Sequence, residues 1–402
     1  MERRFGVSMN GSPIGQTDAP LILQRNLLIV FSITLVGVMG TSSISPALPS
    51  VVRAFGVTIE QSGWLIAGFA MPGIILSPPV GMLADRYGRK KVLVPSLLLF
   101  AAAGHACAYA NGFETLLALR ILQGVGAASL GALNATLIGD LYEGNERAAA
   151  MGYNGGLISV AAAAYPLVGG TLALAGWRYP FILPLLAVPS ALAIAFWLKN
   201  PEPHNSGGFV AYLQNVTSGV RQRQVAAVYF VGFAGFTMLY GAMLTFLPFL
   251  LEQRFATSSA VIGLVFGASA IASAGGSMFL GRLARRIRPK FILLVGVTAM
   301  AAGLATIPSG GAVWMITLSS ALFGAGHGLA ISMSQVVLAN ATTAETRGAV
   351  MALNGMMFRL AQTLGPLGMA VVLAAGGLNW VYWGGATFGV IALAILATAM
   401  RR

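Results

Sequence analysis

The chain has 402 residues, of which 57% are hydrophobic and 9% charged, with 24 Lys and Arg against 11 Asp and Glu, a formal charge of +13. Soluble proteins carry about 25% charged residues, so this composition cannot build a water-exposed surface, and a soluble enzyme is excluded. A nucleic-acid partner is excluded as well, because the cations are too few and too scattered to track a phosphate backbone.

Residues 1–24 are polar, contain Gly11, Pro13 and Gly15, and read as a flexible cytoplasmic tail. They do not fit a cleaved signal peptide, since the first apolar run starts late and is too long for one. A spanning helix needs about 20 mostly apolar residues. Twelve such stretches follow, at 26–52, 61–84, 91–110, 114–140, 148–174, 178–198, 224–251, 260–283, 290–308, 312–340, 349–376 and 379–400. The runs are continuous rather than alternating, which argues against a barrel. The longest polar interruption begins at Asn200 and ends near Arg223, dividing the spans six and six. The expectation is an all-α membrane protein: a six-helix bundle over 25–199, a cytoplasmic linker over 200–223 and a second six-helix bundle over 224–402. The lone Cys107 allows no internal disulfide.

The cations set the orientation. With the N-terminus inside, 19 of the 24 Lys and Arg fall on the cytoplasmic side. Arg53, Arg178 and Arg254 fall outside, and Arg120 and Arg359 lie within spans. Cytoplasmic loops collect Lys and Arg, so both termini are expected in the cytoplasm of a multi-pass inner-membrane protein.

The halves repeat at an offset of 200 residues. Gly81, Leu83, Ala84 and Arg86 match Gly281, Leu283, Ala284 and Arg286; Gly124 and Gly126 match Gly324 and Gly326; Arg147, Met151, Asn154 and Gly155 match Arg347, Met351, Asn354 and Gly355; Pro166 matches Pro366. One register kept over four segments is the mark of a duplicated bundle. Such repeats place a site at their interface.

Three motifs stand on this frame. The loop after the second span runs Gly81-Met-Leu-Ala-Asp85-Arg86-Tyr-Gly88-Arg89-Lys90-Lys91. Gly81 permits close packing, Asp85 suits a neighbouring helix N-terminus, and the cations supply ion-pair partners. The fourth span carries Arg120, Gln123, Gly124 and Gly126, and helical spacing puts Arg120, Gln123 and Asn134 on one stripe. An arginine at that depth faces a cavity or a partner, or else holds backbone carbonyls. The fifth span carries Tyr165-Pro166-Leu-Val-Gly169-Gly170, where Pro bends the helix and Gly allows tight packing.

Together with the twelve spans and the repeat, these motifs resemble the major facilitator superfamily, and most of all its twelve-helix drug:proton antiporter branch. The resemblance covers nearly the whole chain. It implies that Gly81, Asp85, Arg86, Gly88 and Arg89 latch the two bundles on the cytoplasmic side, with Asp140 as an ion-pair partner. It implies that Arg120 takes part in proton transfer or organises the cavity, and that Pro166, Gly169 and Gly170 mark an antiporter helix. The second loop departs from the pattern, with Arg285 in place of the Asp, so the main latch is expected in the first half.

The seventh span aligns Tyr229, Phe233, Phe236 and Tyr240 on one face, and the first aligns Thr34, Val38, Thr41 and Ser45. In the family, helices 1, 4, 7 and 10 line the cavity, so Thr41, Gln123, Asn134, Tyr165 and the aromatic stripe are the cavity candidates, with Arg359 a second intramembrane cation. The aromatic stripe serves either packing or substrate contact. An aromatic cavity with few charges suits hydrophobic or amphipathic organic solutes. His327, within Gly326-His327-Gly328, can bind a proton near neutral pH, or sit as a neutral core histidine. No carboxylate lies clearly mid-membrane, which leaves His327, Glu114 near Arg120, or an acid at a helix end such as Asp140 for proton coupling, or else a different coupling or none.

The expected function is export of small, largely hydrophobic or amphipathic compounds by alternating access, as proton-coupled antiport. The alternative is a carrier of a specific, possibly anionic, metabolite such as a sugar, siderophore, amino-acid derivative or lipid. No cofactor or metal is expected beyond the proton as coupling ion, and no enzyme motif such as HExxH is present. The partners are a small-molecule substrate and the lipid bilayer, and a single chain suffices.

Overall fold

The computed structural model describes residues 20–198, 223–341 and 344–400. The expected tail up to residue 19 and the linker over 200–222 lie outside the described residues, as does the Arg347 side chain of the repeat. Leu21–Leu23, read as part of the tail, instead form a 3-10 turn leading into the first span, with Leu21 packed against the core of the first half.

Among the described residues, twelve helices are long and apolar enough to cross a membrane: α1 Arg25–Phe55, α2 Ile59–Tyr87, α3 Arg89–Tyr109, α4 Phe113–Leu141, α5 Gly144–Ala175, α6 Tyr179–Trp197, α7 Arg223–Phe255, α8 Ser259–Leu283, α9 Pro289–Ser309, α10 Val313–Asn340, α11 Leu353–Gly376 and α12 Leu378–Ala399. The α11 helix itself begins earlier, at Ala344. Lengths of 19–33 residues are those a bilayer requires. Among the described residues no strand occurs. Below, the basic face is the end with the α2–α3 and α8–α9 loops, and the opposite face is the other end.

Two spans are interrupted for legible reasons. In α1, Ser45–Ala47 tightens into a 3-10 turn, because Pro46 has no N–H to continue the α ladder. The Ile44 N–H there turns to the Thr41 carbonyl, which releases the Gly40 carbonyl for another donor. In α7, Met238–Phe246 is π-helical, and the Thr245 hydroxyl donates to the Tyr240 carbonyl at 2.6 Å. Between α2 and α3 the chain turns on Gly88 at φ +94°, a conformation that a Cβ would oppose.

The 200-residue offset governs the packing. A Cβ on Gly124 would run into the Phe69 carbonyl, and one on Gly324 into the Ser269 carbonyl. The Ser77 hydroxyl donates to the Ala128 carbonyl at 3.1 Å, and Ser277 donates to the Gly328 carbonyl at 3.2 Å. Small residues let membrane helices close on one another, and each half uses them at matching positions. The contact between halves obeys the same symmetry. Helix α2 packs on α11, and α5 on α8. Gly63 meets Pro366 and Gly263 meets Pro166, two crossings related by the same offset.

The hydrophobic core shows where the halves part. One cluster is confined to the first half, around Leu27, Val30, Leu93, Leu97, Leu137 and Ile194. The other fills the second half and continues into Ile44, Leu48, Val51, Leu65, Leu116 and Phe181 of the first. These first-half residues lie toward the opposite face. The halves are therefore fused by apolar packing at that end and separated toward the basic face.

Candidate functional site

The separation leaves a cavity of about 1480 Å³ between the halves. Helices α1, α2, α4, α5, α7, α8, α10 and α11 all contribute to its wall. Its lining runs from Phe236, Tyr240, Phe323 and His327 outward to Asp85, Arg86 and Met351 at the basic end. At the opposite face it is closed by the shared core and by an ion pair between Arg53 of α1 and Glu252 of α7. The protein is thus open toward the basic face alone.

Of the sequence candidates, Thr41, Phe236, Tyr240, His327 and Arg359 line the cavity, as do Pro166, Gly81, Asp85 and Arg86. The aromatic stripe of α7 is split. Phe236 stacks on Phe358 of α11 with centroids 4.1 Å apart, and on Tyr240 at 5.9 Å, and it tilts against His327 at 5.5 Å. Tyr229 instead lies in the core of the second half and donates its hydroxyl to the Val350 carbonyl at 3.1 Å. Phe233 packs against Phe230 and does not reach the cavity wall. A helix face that long outruns the cavity, so its basic-end part is packing.

Gln123, Asn134 and Tyr165 also stand away from the cavity wall. Tyr165 packs against the core of the first half. Asn134 donates its amide to the Thr34 hydroxyl, which in turn donates to Asn154, clamping α4, α1 and α5. Gln123 is bound by Arg120, which donates to its Oε1 at 2.7 Å. Arg120 is 1% exposed. It also donates to the Gly40 carbonyl at 2.9 Å and the Leu65 carbonyl at 3.3 Å, and stacks over Phe69 at 4.4 Å. The carbonyl that the α1 interruption released is the one it takes. Its guanidinium therefore ties α1, α2 and α4 together. Glu114 is exposed in the first turn of α4 and is not among the partners of Arg120.

The loop motif is assembled within the first half. Arg89, rather than Arg86, is the partner of Asp140, and it also binds Asp85 at 3.1 Å. Arg86 sits over the Tyr87 ring at 5.4 Å and faces the cavity mouth. A Cβ on Gly81 would meet nothing within 4 Å, so the close packing expected of it is absent while this end is open. Gly169 and Gly170 do pack closely, against the carbonyls of Ser43 and Ser259, and Ser259 donates to the Gly170 carbonyl at 2.8 Å.

Sequence reasoning missed two features. Phe358 and Phe323 belong to the cavity; both sit next to small or charged residues in helices whose apolar periodicity is uniform. The Arg53–Glu252 pair was hidden because each residue was read alone. Their adjacent positions in the repeat, 53 and 252, were the available signal.

The sequence profile of the Major Facilitator Superfamily matches residues 30–258 and 250–402. The chain is 26% identical over 372 residues to the bacillibactin exporter of Bacillus subtilis (strain 168), covering 89% of this chain and 91% of that protein. It is 29% identical over 390 residues to a class G tetracycline resistance protein of Vibrio anguillarum, covering 93% and 98%. Its fold superposes on a bacterial homologue of the human lysosomal transporter Spinster in an inward-facing, occupied conformation, with a TM-score of 0.75, 18% identity and coverage of 93% and 96%.

Proposed function

Because the chain belongs to the major facilitator superfamily of membrane transporters, we propose that it exports small, largely hydrophobic or amphipathic organic compounds by proton-coupled alternating access. The observation that carries this reading is the cavity between two repeat-related halves, open at one end and sealed at the other by packing that rocking of the halves can exchange. The basic face is the cytoplasmic one, following the positive-inside rule, so substrate enters from the cytoplasm in the conformation described here. Relatives named for bacillibactin export and tetracycline resistance support outward movement of organic solutes.

The cavity wall is mainly apolar and aromatic, which suits solutes that gain by leaving water. His327 carries the coupling proton: its imidazole faces the cavity, and Asp85 at the mouth is engaged by Arg89. A single chain in the inner membrane, with both termini cytoplasmic, suffices for this cycle.

The test is flux in proteoliposomes across a panel of cationic dyes, neutral drugs and anionic organic acids, with and without an imposed pH gradient. Gradient-driven movement of amphipathic aromatic solutes is expected. Movement indifferent to the gradient overturns the coupling, and no movement of any organic solute overturns the export reading.

A further inference from the structure

Among the described residues, Arg359 is a cation without a partner at the heart of the cavity. Its guanidinium makes no hydrogen bond or ion pair among the described residues, and its electrostatic neighbour is the Tyr240 phenol. The side chain leaves α11 and crosses to the other half. A Cβ on Gly73 of α2 would stand 3.1 Å from its Nε and 3.2 Å from its Cζ, and one on Gly131 of α4 would stand 3.6 Å from a terminal nitrogen. Gly73 thus leaves the space in which the guanidinium lies, and Gly131 borders it at ordinary contact distance. An arginine is always charged and offers five N–H donors in a planar fork. Unpaired at membrane depth it is costly, and such groups mark substrate pathways.

Beside it runs a ladder of three near-parallel rings. Phe358 stacks on Phe236 at 16° between planes, and Phe236 on Tyr240 at 11°. All three face the same cavity as Arg359. Among the described residues, the other charged groups on the wall are Asp85, tied to Arg89, and Arg86, a second cation. The cavity field is therefore positive, which repels lipophilic cations and attracts anions.

We propose that Arg359 anchors an anionic group of the substrate while the Phe358–Phe236–Tyr240 ladder stacks its aromatic ring, so that the cavity selects amphipathic aromatic anions over cations. This rests on the transport reading above and narrows it to a substrate class. Gly73 is a positioning residue: its missing side chain leaves the fork where a carboxylate, phenolate or sulfonate meets it in a bidentate pair.

Three probes of one ring system test this by fluorescence titration of the full chain in detergent: naphthalene-2-sulfonate, neutral methyl 2-naphthyl sulfone, and trimethyl(2-naphthyl)ammonium. The anion is expected to bind roughly tenfold or more tighter than the neutral probe, as charge-assisted bonds imply, and the cation weakest. Arg359→Gln removes the anion's advantage and leaves the neutral probe's affinity within about twofold. Arg359→Lys retains part of the advantage. Gly73→Ala, which displaces the fork, weakens the anion selectively. Equal or tighter binding of the cation by the wild type overturns the proposal, as does an equal loss of anion and neutral probe in Arg359→Gln, and as does binding of none of the three. Anion-selective binding without gradient-driven flux sinks the export reading and leaves this one standing; flux of organic cations with no anion preference does the reverse.

Discussion

Arg53, at the opposite-face end of α1, forms an ion pair with Glu252, at the matching end of α7. Among the described residues it is the ion pair that joins the two halves, and it sits on the closed side. Its side chains are 61% and 28% exposed, and an exposed pair contributes about 0.2–1 kcal/mol. That is enough to shift the balance of two conformations by up to about fivefold. Glu252→Gln is therefore expected to favour opening at this face. A cysteine introduced as Ser273→Cys in the cavity is the reporter, labelled from that side by an impermeant maleimide. Its labelling should accelerate in Glu252→Gln and return toward the parent rate when Arg53→Glu and Glu252→Arg are combined.

Arg120 holds three helices through carbonyls and an amide. Arg120→Met strands the Gly40 carbonyl and the Gln123 side chain inside the bundle. Each buried group left without a partner costs about 1–3 kcal/mol, so thermal unfolding of the purified protein should move down together with flux. Lysine should not restore either, because one ammonium cannot span acceptors on α1, α2 and α4. Lost flux with an unchanged unfolding temperature would assign Arg120 a role in proton transfer instead.

Gly124 and Gly324 are equivalent positions pressed against the carbonyls of Phe69 and Ser269. Valine at either one forces α4 from α2, or α10 from α8, since backbone cannot yield as a side chain tip does. Overpacking costs typically 1–3 kcal/mol. The two variants should lose thermal stability by similar amounts. Gly281→Val, where a Cβ meets nothing within 4 Å, should lose little. Unequal losses at 124 and 324 would break the packing symmetry argued from the repeat.

The loop cluster expected to act as a latch is built in one half. Arg89 engages both Asp85 and Asp140, whereas Arg285 stands where the second half would need an acid. Asp85→Asn should therefore lower flux severalfold more than Arg285→Ala. Gly81→Ala adds a methyl that meets nothing while the basic face is open. It should leave unfolding temperature unchanged and slow turnover, because the closed state brings the halves together at that face. Equal effects of Asp85→Asn and Arg285→Ala would show that the two loops share the latch.

The twelve spans and the repeat were legible because bilayer thickness and duplication both write themselves as simple periods. Pro166/Gly263 and Pro366/Gly63 even keep the 200-residue offset in space. The cavity was only partly legible. Helical spacing put Tyr229 and Phe236 on one face, yet Tyr229 is spent on the Val350 carbonyl. In a membrane protein both lipid-facing and buried surfaces are apolar, so periodicity does not tell cavity from core. Arg120 and Arg359 were both recognisable as intramembrane cations. Only the neighbours separate them: carbonyls and Gln123 for one, Gly73 and open cavity for the other.

His327 offers the sharpest test of coupling. Its ring faces the cavity between Phe236 and Phe323, and its Nε2 is buried without a protein hydrogen-bond partner. With no protein group holding that nitrogen, its protonation depends on what water or substrate brings into the cavity. His327→Gln keeps a polar side chain of similar reach but cannot carry the charge. The variant should bind a neutral aromatic probe with nearly wild-type affinity. Substrate-induced proton release from the purified protein, read by a pH-sensitive dye in weak buffer, should disappear, and uphill flux should collapse to downhill exchange. A persisting proton signal would move the coupling role to an acid at a helix end, with Asp85 and Asp140 next in line.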